Sequence, residues 1–513
     1  MVSKKSLLVS KQRLASLLLN DPIVFSHLFN WITNKKIHKF KPDNSRVIAR
    51  LFMPDDENRV KNIISRVLSL NENEVSRLLT TVLKDFSFRH KNIEEIFMRH
   101  FKAAEKYIEN RNALSSARKL LIGSYFTSEY SIESAALFNP SITIYPKQND
   151  LKAGQTRVIL SFRATGEGHI SSIVFRSAVI DKHNNIFLEP FSRYVSTPQI
   201  NLNPVYDKYV FELKLKEMNI HSEPALTILN RLDKQFTFDQ MQDCMDQFKK
   251  ENITIQADAE KIISEMIWLA KSNYEVIFPP EQLISERVIF PATERESNGI
   301  EDARFVRFMN EDGTAAYYAT YTAYNGFDIL PQLIETRDFH HFKITTLNGK
   351  AAQNKGMALF PRKINGKYAM IGRIDGENLY LMYSDNIHFW NEAVKMQAPE
   401  KPWEIVQIGN CGSPIETKAG WILLTHGVGP MRKYCIGVEL LDLRDPSKII
   451  ARLDEPLLSP QEQEREGYVP NVVYSCGSII LNQELIIPYA TSDSTSAIAI
   501  IEVNELLEKL TRF

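Results

Sequence analysis

Ala358-Leu359-Phe360-Pro361 runs through Asn365-Gly366 into Tyr368-Ala369-Met370-Ile371 and stops at Arg373. Two short apolar runs around an Asn-Gly pair predict a β-hairpin. The same unit recurs along the chain. Ser413-Pro414-Ile415 passes Ala419-Gly420 into Trp421 to Thr425 and stops at His426, and Gly477 to Ile480 passes Asn482 into Leu485 to Tyr489 and stops at Asp493. Ala303 to Phe308 passes Asp312-Gly313 into Tyr317 to Tyr321. Asn139 to Ile144 enters Val158 to Phe162 by a longer loop and stops at Arg163. Five hairpins result, and four of them end on a charged or imidazole side chain.

Setting aside one insertion, residues 137–513 allow roughly 60 residues per unit, the size of a propeller blade with its loops. A single antiparallel sandwich also explains strands and turns. It does not explain why matching positions of successive hairpins carry Arg, His and Asp. In a propeller the inner strands face one channel, so those positions converge. The expected fold is therefore mainly β, a five-bladed β-propeller over residues 137–513, with a helical insert at about 210–272 and an N-terminal helical extension over residues 1–136. Within the extension Asn71 and Glu74 form a capping pair. Val75, Leu78, Leu79, Val82, Leu83 and Phe86 follow at helical spacing, and the pattern reads as helical from Arg46 to Ala136.

Composition narrows the function. The chain has 513 residues, 44% of them hydrophobic, and 62 basic against 62 acidic side chains. It is an ordinary globular protein with no general electrostatic grip on nucleic acid or anionic membrane. Residues 1–50 hold ten basic and two acidic side chains, which reads first as a solvated terminal face. Cys244, Cys411, Cys435 and Cys476 have no metal-ligand spacing and read as reduced, mostly buried thiols. No stretch approaches the ~18 apolar residues of a bilayer span. Leu17 to Leu19 is too short for a signal core and is broken by Asn20-Asp21-Pro22. The expected location is the cytoplasm.

Two segments concentrate chemistry. Asn298-Gly299-Ile300-Glu301-Asp302-Ala303-Arg304 places two carboxylates and an arginine at the start of a hairpin. Neighbouring strand residues point to opposite faces, so only one of Glu301 and Asp302 is expected to face the channel. Asn354-Lys355-Gly356-Met357 brings a lysine to the next unit. Gly166-Glu167-Gly168 has the glycines of a phosphate loop, but no helix follows, and it reads as a turn.

Glu301-Asp302-Ala303-Arg304, Ala358-Leu359-Phe360-Pro361 with Asn365-Gly366-Lys367-Tyr368, and Thr425-His426-Gly427-Val428 occur in that order. So does Gly437-Val438 with Leu440-Leu441-Asp442-Leu443 and Asp445-Pro446. As a set over roughly residues 137–505 they resemble glycoside hydrolase family 130, the β-mannoside phosphorylases and β-mannosidases, which are five-bladed propellers. The resemblance implies that Asp302 is the general acid of an inverting reaction, its proton reaching the glycosidic oxygen through a hydroxyl of the bound mannose. It implies phosphate contacts at Lys355, Arg373, His426 and Tyr434, and sugar contacts at Arg163, Arg304 and Asp493. Inorganic phosphate is then a co-substrate, a β-mannoside oligosaccharide is the partner, and no metal or organic cofactor is implied. The helical segments are the candidate surfaces for a homo-oligomer.

Three departures from the family pattern are visible. Ala303 replaces a proline, Gly356 follows Lys355 where many members have Asp, and Gln407 stands where phosphorylases often have a lysine. The last removes one phosphate charge and keeps a β-mannosidase as an alternative, with Glu464 or Glu466 as the base that would activate water. A propeller that binds glycans or proteins without turnover is the third reading.

Overall fold

A computed structural model describes residues 39–109, 113–251 and 257–512. The basic-rich stretch up to residue 38, with Leu17 to Leu19, and residues 252–256 of the insert lie outside the described residues. Each of the five hairpins is an antiparallel pair, and each belongs to a different sheet.

Sheet I is built on Ala136–Ile144, Thr156–Thr165 and Ser171–Ile180. Sheet II holds Gly299–Met309, Ala315–Tyr324, Ile329–Thr336 and His341–Thr346, and its outer edge is extended by Tyr274–Ile277 and Gln199–Asn201. Sheet III comprises Ala358–Leu359, Tyr368–Gly372, Leu379–Ser384 and Ala393–Gln397. Sheet IV contains Gln407–Asn410, Trp421–Val428, Tyr434–Leu441 and Ile449–Arg452. Sheet V contains Val473–Tyr474, Ile479–Leu481, Glu484–Thr491 and Thr495–Glu502.

Each sheet packs on the next, and the fifth returns to the first. The apolar residues of neighbouring sheets form a separate cluster at every seam. Phe175 and Phe305 join I to II, Phe308 and Leu359 join II to III, and Phe360 and Trp421 join III to IV. Leu424 and Ile487 join IV to V, and Phe162 and Ile486 close V onto I. The alternation that buries both faces of a strand explains why the hairpin strands read as continuous apolar runs. All four cysteines are free, and Cys411, Cys435 and Cys476 are buried. Among the described residues, no helix is long and apolar enough to cross a membrane.

Helices Glu57–Leu68, Glu72–Phe86, Ile93–Ala104 and Ser116–Tyr125 pack around a core of their own. The Asn71 and Glu74 capping box is present, with both hydrogen bonds made. The expectation of helix from Arg46 to Ala136 fails at both ends: Val47–Leu51 and Thr127–Ser131 are strands that pair with each other. The reason is tertiary, because Ile48, Tyr130 and Ile132 sink into the cluster that closes sheet V onto sheet I. Phe40 also bridges to Ser496 of sheet V. A second helical group, Lys208–Glu217, Glu223–Asn230, Phe238–Glu251 and Ala257–Lys271, encloses another separate core between the two outermost strands of sheet II.

One buried carboxyl in sheet IV sets a pH dependence. Glu439 is 1% exposed, and Arg452, 3.8 Å away, is held closer by Glu404 at 2.7 Å. Burial pushes Glu439 up to about 7, opposed in part by Arg452. The folded state therefore holds this proton more tightly than the unfolded chain does. Its contribution is complete below the ordinary carboxyl value and is lost as pH rises through about 7. Glu439→Gln should flatten the fall in melting temperature between pH 5 and pH 8 and melt above wild type at pH 8, by about 2–4 °C. An unchanged slope in that variant would refute the assignment.

Candidate active site

At one end of the ring a cavity of about 600 Å³ is lined by residues of all five sheets. That size suits an oligosaccharide end and a small anion. The eight residues singled out in the sequence, Arg163, Asp302, Arg304, Lys355, Arg373, His426, Tyr434 and Asp493, all line it. Asn139, Glu301, Gln407, Arg432 and Tyr474 line it with them. Arg163, Arg373, His426 and Asp493 lie within two residues of the ends of the second hairpin strands, which is why positions remote in sequence meet. A smaller opening of about 290 Å³ at the hairpins' other ends is again lined from every sheet, for example by Thr143, Arg307, Arg362, Ser413 and Ser478.

Glu301 and Asp302 both face the cavity, which corrects the expectation from strand alternation. The pairing of Gly299–Met309 with its neighbour shifts register between Glu301 and Arg304, and Asp302 has a φ of 55°. This bulge turns Asp302 back to the side that Glu301 already occupies. A matching bulge in sheet I gives Asn139 a φ of 47°. Its side-chain amide donates to Asp302 Oδ1 at 2.7 Å. Arg163 Nη1 lies 3.6 Å from the same oxygen. The Asp302 side chain keeps 21% of its surface exposed, so its second oxygen can be reached from the cavity.

Glu301 is committed to cations. It accepts from Arg163 Nη2 at 3.1 Å and from Lys355 Nζ at 2.7 Å. Burial works against the charge of Arg163, but Glu301, Asp302 and Asp493 together raise its pKa above the ordinary value. Burial, and then the neighbouring Asp302 carboxylate, push Asp493 up to about 7.

His426 is 3% exposed. Its Nδ1 faces the Asn410 carbonyl at 3.1 Å, and Arg373 Nη1 lies 3.2 Å from its Nε2. This network assigns a neutral ring that donates from Nδ1 and accepts at Nε2. Burial, followed by Arg373 and Arg304, holds its pKa well below the ordinary histidine value. The imidazole thus orients Arg373 and carries no charge of its own. Gly409 makes room for the ring, since a Cβ there would stand 2.3 Å from His426 Cε1.

Asn410, buried and unanticipated from the sequence, ties three sheets together. It accepts from Arg304 Nη1 at 2.8 Å on Oδ1 and donates to the Gly356 carbonyl at 2.5 Å. Arg304 Nη2 also donates to Tyr474 OH at 2.6 Å. Tyr474 likewise carried no sequence signal. Glu464 and Glu466 do not line the cavity: the Glu464 carboxylate closes its own turn on Gln461 N and accepts from Tyr489 OH.

Five cations line the cavity against three carboxylates, Glu301, Asp302 and Asp493. The carboxylates come from sheets II and V. Arg373 and Arg432, from sheets III and IV, form no ion pair among the described residues. Guanidinium groups without carboxylate partners, Arg373 half-buried in the cavity and Arg432 at its mouth, are the chemistry that holds a multiply charged anion.

A family profile described as beta-1,4-mannooligosaccharide phosphorylase matches residues 252–512, which span sheets II to V. A 1,2-beta-oligomannan phosphorylase of Thermoanaerobacter sp. (strain X514) is 34% identical over 235 residues, 44% of this chain and 75% of that protein. A beta-1,2-mannobiose phosphorylase of the same strain is 37% identical over 221 residues, 40% of this chain and 68% of that protein. The solved beta-1,2-mannobiose phosphorylase from Listeria innocua, in complex with beta-1,2-mannobiose, aligns with 73% of this chain and 92% of its own, at 21% identity and a TM-score of 0.44. The chain belongs to glycoside hydrolase family 130.

Proposed function

We propose that this protein is an inverting β-mannoside phosphorylase, that its five sheets are the blades of a propeller, and that the cavity is its active site. Three relatives, the two from Thermoanaerobacter and a beta-1,4-mannooligosaccharide phosphorylase of Ruminococcus albus, are phosphorylases of β-linked mannosides by name. The observation that carries the reading is the division of the cavity: the carboxyls of Asp302 and Asp493 in one part, and the guanidinium groups of Arg373 and Arg432, without carboxylate partners, in another. The ring closure of the sheets, with two openings lined from all of them, supports the propeller.

In this reading Asp302 supplies the proton that reaches the glycosidic oxygen, through a hydroxyl of the bound mannose, as the bond from C1 to that oxygen breaks. A phosphate oxygen forms the new bond to C1 from the opposite face. The products are α-mannose 1-phosphate and the shortened acceptor. The phosphate enters as a hydrogen phosphate, and the proton left on the product's phosphoryl group restores the acid. Arg373, oriented by His426, and Lys355, Arg432 and Tyr434 hold the anion, which spares the cost of an unpaired dianion in the pocket. Arg163, Arg304 and Asp493 hold the mannose. The four free thiols support the cytoplasm as the place of action. A hydrolase needs a carboxylate to activate water on the face opposite the acid. Glu301 is tied to Arg163 and Lys355, Asp493 lies close enough to Asp302 to feel its charge and so is on the acid's side, and Glu464 lies elsewhere, so the arrangement favours phosphate over water.

The test is product analysis on β-1,2- and β-1,4-linked manno-oligosaccharides with and without inorganic phosphate. Mannose 1-phosphate formed only with phosphate is the expected result. Free mannose at equal rates in both conditions would establish a β-mannosidase. Saturable sugar binding without product from any substrate would leave only the binding propeller.

A further inference from the structure

The molecule builds one five-residue turn twice. In sheet I, Gly166-Glu167-Gly168-His169-Ile170 joins the strands Thr156–Thr165 and Ser171–Ile180. In sheet IV, Gly429-Pro430-Met431-Arg432-Lys433 joins Trp421–Val428 and Tyr434–Leu441. The entry glycines have nearly the same backbone angles, φ −107° and ψ −157° at Gly166, φ −109° and ψ −158° at Gly429. Both turns close with the same bond, from Gly166 N to the Ile170 carbonyl at 3.1 Å and from Gly429 N to the Lys433 carbonyl at 3.0 Å. Both then place two consecutive residues in the left-handed region: Gly168 and His169 at φ 65° and 61°, Met431 and Arg432 at φ 56° and 53°.

The two turns differ at the first left-handed position. Sheet I uses glycine there, which adopts that conformation freely, whereas sheet IV uses methionine, which does so under strain. Nothing in the core accounts for the methionine, because the residue is 90% exposed. It does, however, line the rim of the active-site cavity together with Arg432 and Tyr434. Facing residues Val469, Pro470 and Asn471 line the same rim, and Tyr434 N donates to the Asn471 carbonyl at 3.0 Å, which fixes the two rim segments to each other. Val469 is itself 41% exposed.

We infer that Met431 occupies a strained position because its thioether chain, with Val469, forms an apolar seat at the cavity mouth for the acceptor end of the oligosaccharide. A pyranose ring presents a face of C–H groups that packs on such a surface. Strain held where a side chain meets ligand is a recognised feature of binding sites. The inference rests on the phosphorylase reading for the identity of the ligand. It assigns Met431 to the leaving-group side and not to phosphate.

The test is Met431→Gly, with Met431→Leu as the conservative control. The glycine variant should melt at or above the wild-type temperature, because its backbone matches the turn. In the synthetic direction its KM for the acceptor, β-1,2- or β-1,4-mannobiose, should rise about tenfold, while its KM for mannose 1-phosphate stays within about twofold. Met431→Leu should restore most of the acceptor affinity. Unchanged acceptor KM in Met431→Gly would overturn the inference, as would a rise confined to mannose 1-phosphate. Calorimetric titration of mannotetraose, in both linkages, makes the same comparison without turnover. If wild type consumes no mannose 1-phosphate the phosphorylase reading fails, and equal or weakened mannotetraose binding by Met431→Gly still decides the role of Met431.

Discussion

Asp302→Asn should keep the fold and lower kcat by roughly 10²–10⁴-fold, in phosphorolysis and in synthesis alike. Asparagine is nearly isosteric and tolerates the left-handed backbone that Asp302 adopts at φ 55°. Its carbonyl oxygen can still accept from Asn139, whose amide reaches Asp302 Oδ1 at 2.7 Å. What it lacks is a proton to give to the departing oxygen. The loss should therefore fall on kcat, with the KM for phosphate little changed. An activated substrate whose leaving group needs no proton, such as a β-mannosyl aryl ether with a nitro group, should recover much of the rate. A structural role for Asp302 would give no such recovery. Near wild-type turnover of natural oligosaccharides by the variant would remove Asp302 from the mechanism.

Glu133→Ala should cost about 3–5 kcal/mol of stability. Glu133 is fully buried, accepting from Arg46 Nε at 2.7 Å and from Arg176 Nη2 at 2.9 and 3.1 Å. Burial, and then the like charge of Arg176, bring Arg46 down to about 10, so the carboxylate is what keeps two guanidinium groups together in the interior. Arg46 also donates to the carbonyls of Ser192 and Ser285, both at 2.6 Å. These bonds fasten the segment before sheet I to the ring. Truncating the carboxylate leaves both cations without an anion, which is far more costly than removing a surface pair. Denaturant unfolding checks this, and Glu133→Gln, which keeps one acceptor, should lose less. A midpoint unchanged from wild type in Glu133→Ala would refute the account.

The sequence carries the convergence of the site because hairpin ends are legible: a polar residue stopping an apolar run marks Arg163, Arg373, His426 and Asp493. It does not carry the bulges. Strand alternation predicts one inward carboxylate from Glu301 and Asp302, and a single inserted residue in the pairing reverses the second. Asn410 and Tyr474 were illegible for a different reason. Each holds Arg304, 106 and 170 positions distant, and nothing local distinguishes them from loop polar residues. The strands Val47–Leu51 and Thr127–Ser131 are hidden in the sequence because five residues show too little period to compete with the helical runs between them. The role of His426 was half legible: its place in the cavity follows from the hairpin, and its neutral state follows only from Arg373 and Asn410 around it.

The closure of sheet V onto sheet I has a consequence for biosynthesis. Leu137 N donates to the Ser494 carbonyl at 3.0 Å, and Ser496 Oγ donates to the Leu137 carbonyl at 3.0 Å, across 359 residues. Asn139 and Asp493 flank these contacts and line the same cavity. A chain emerging from the ribosome can complete the early seams one after another, yet the wall of the cavity between its first and last members forms only when the final hairpin has been released. Until then the apolar edge of the first sheet is covered only in part, by Ile48, Tyr130 and Ile132 of the segment before it. The nascent enzyme is inactive and most exposed to misassociation at the same moment, and both conditions end with one docking event.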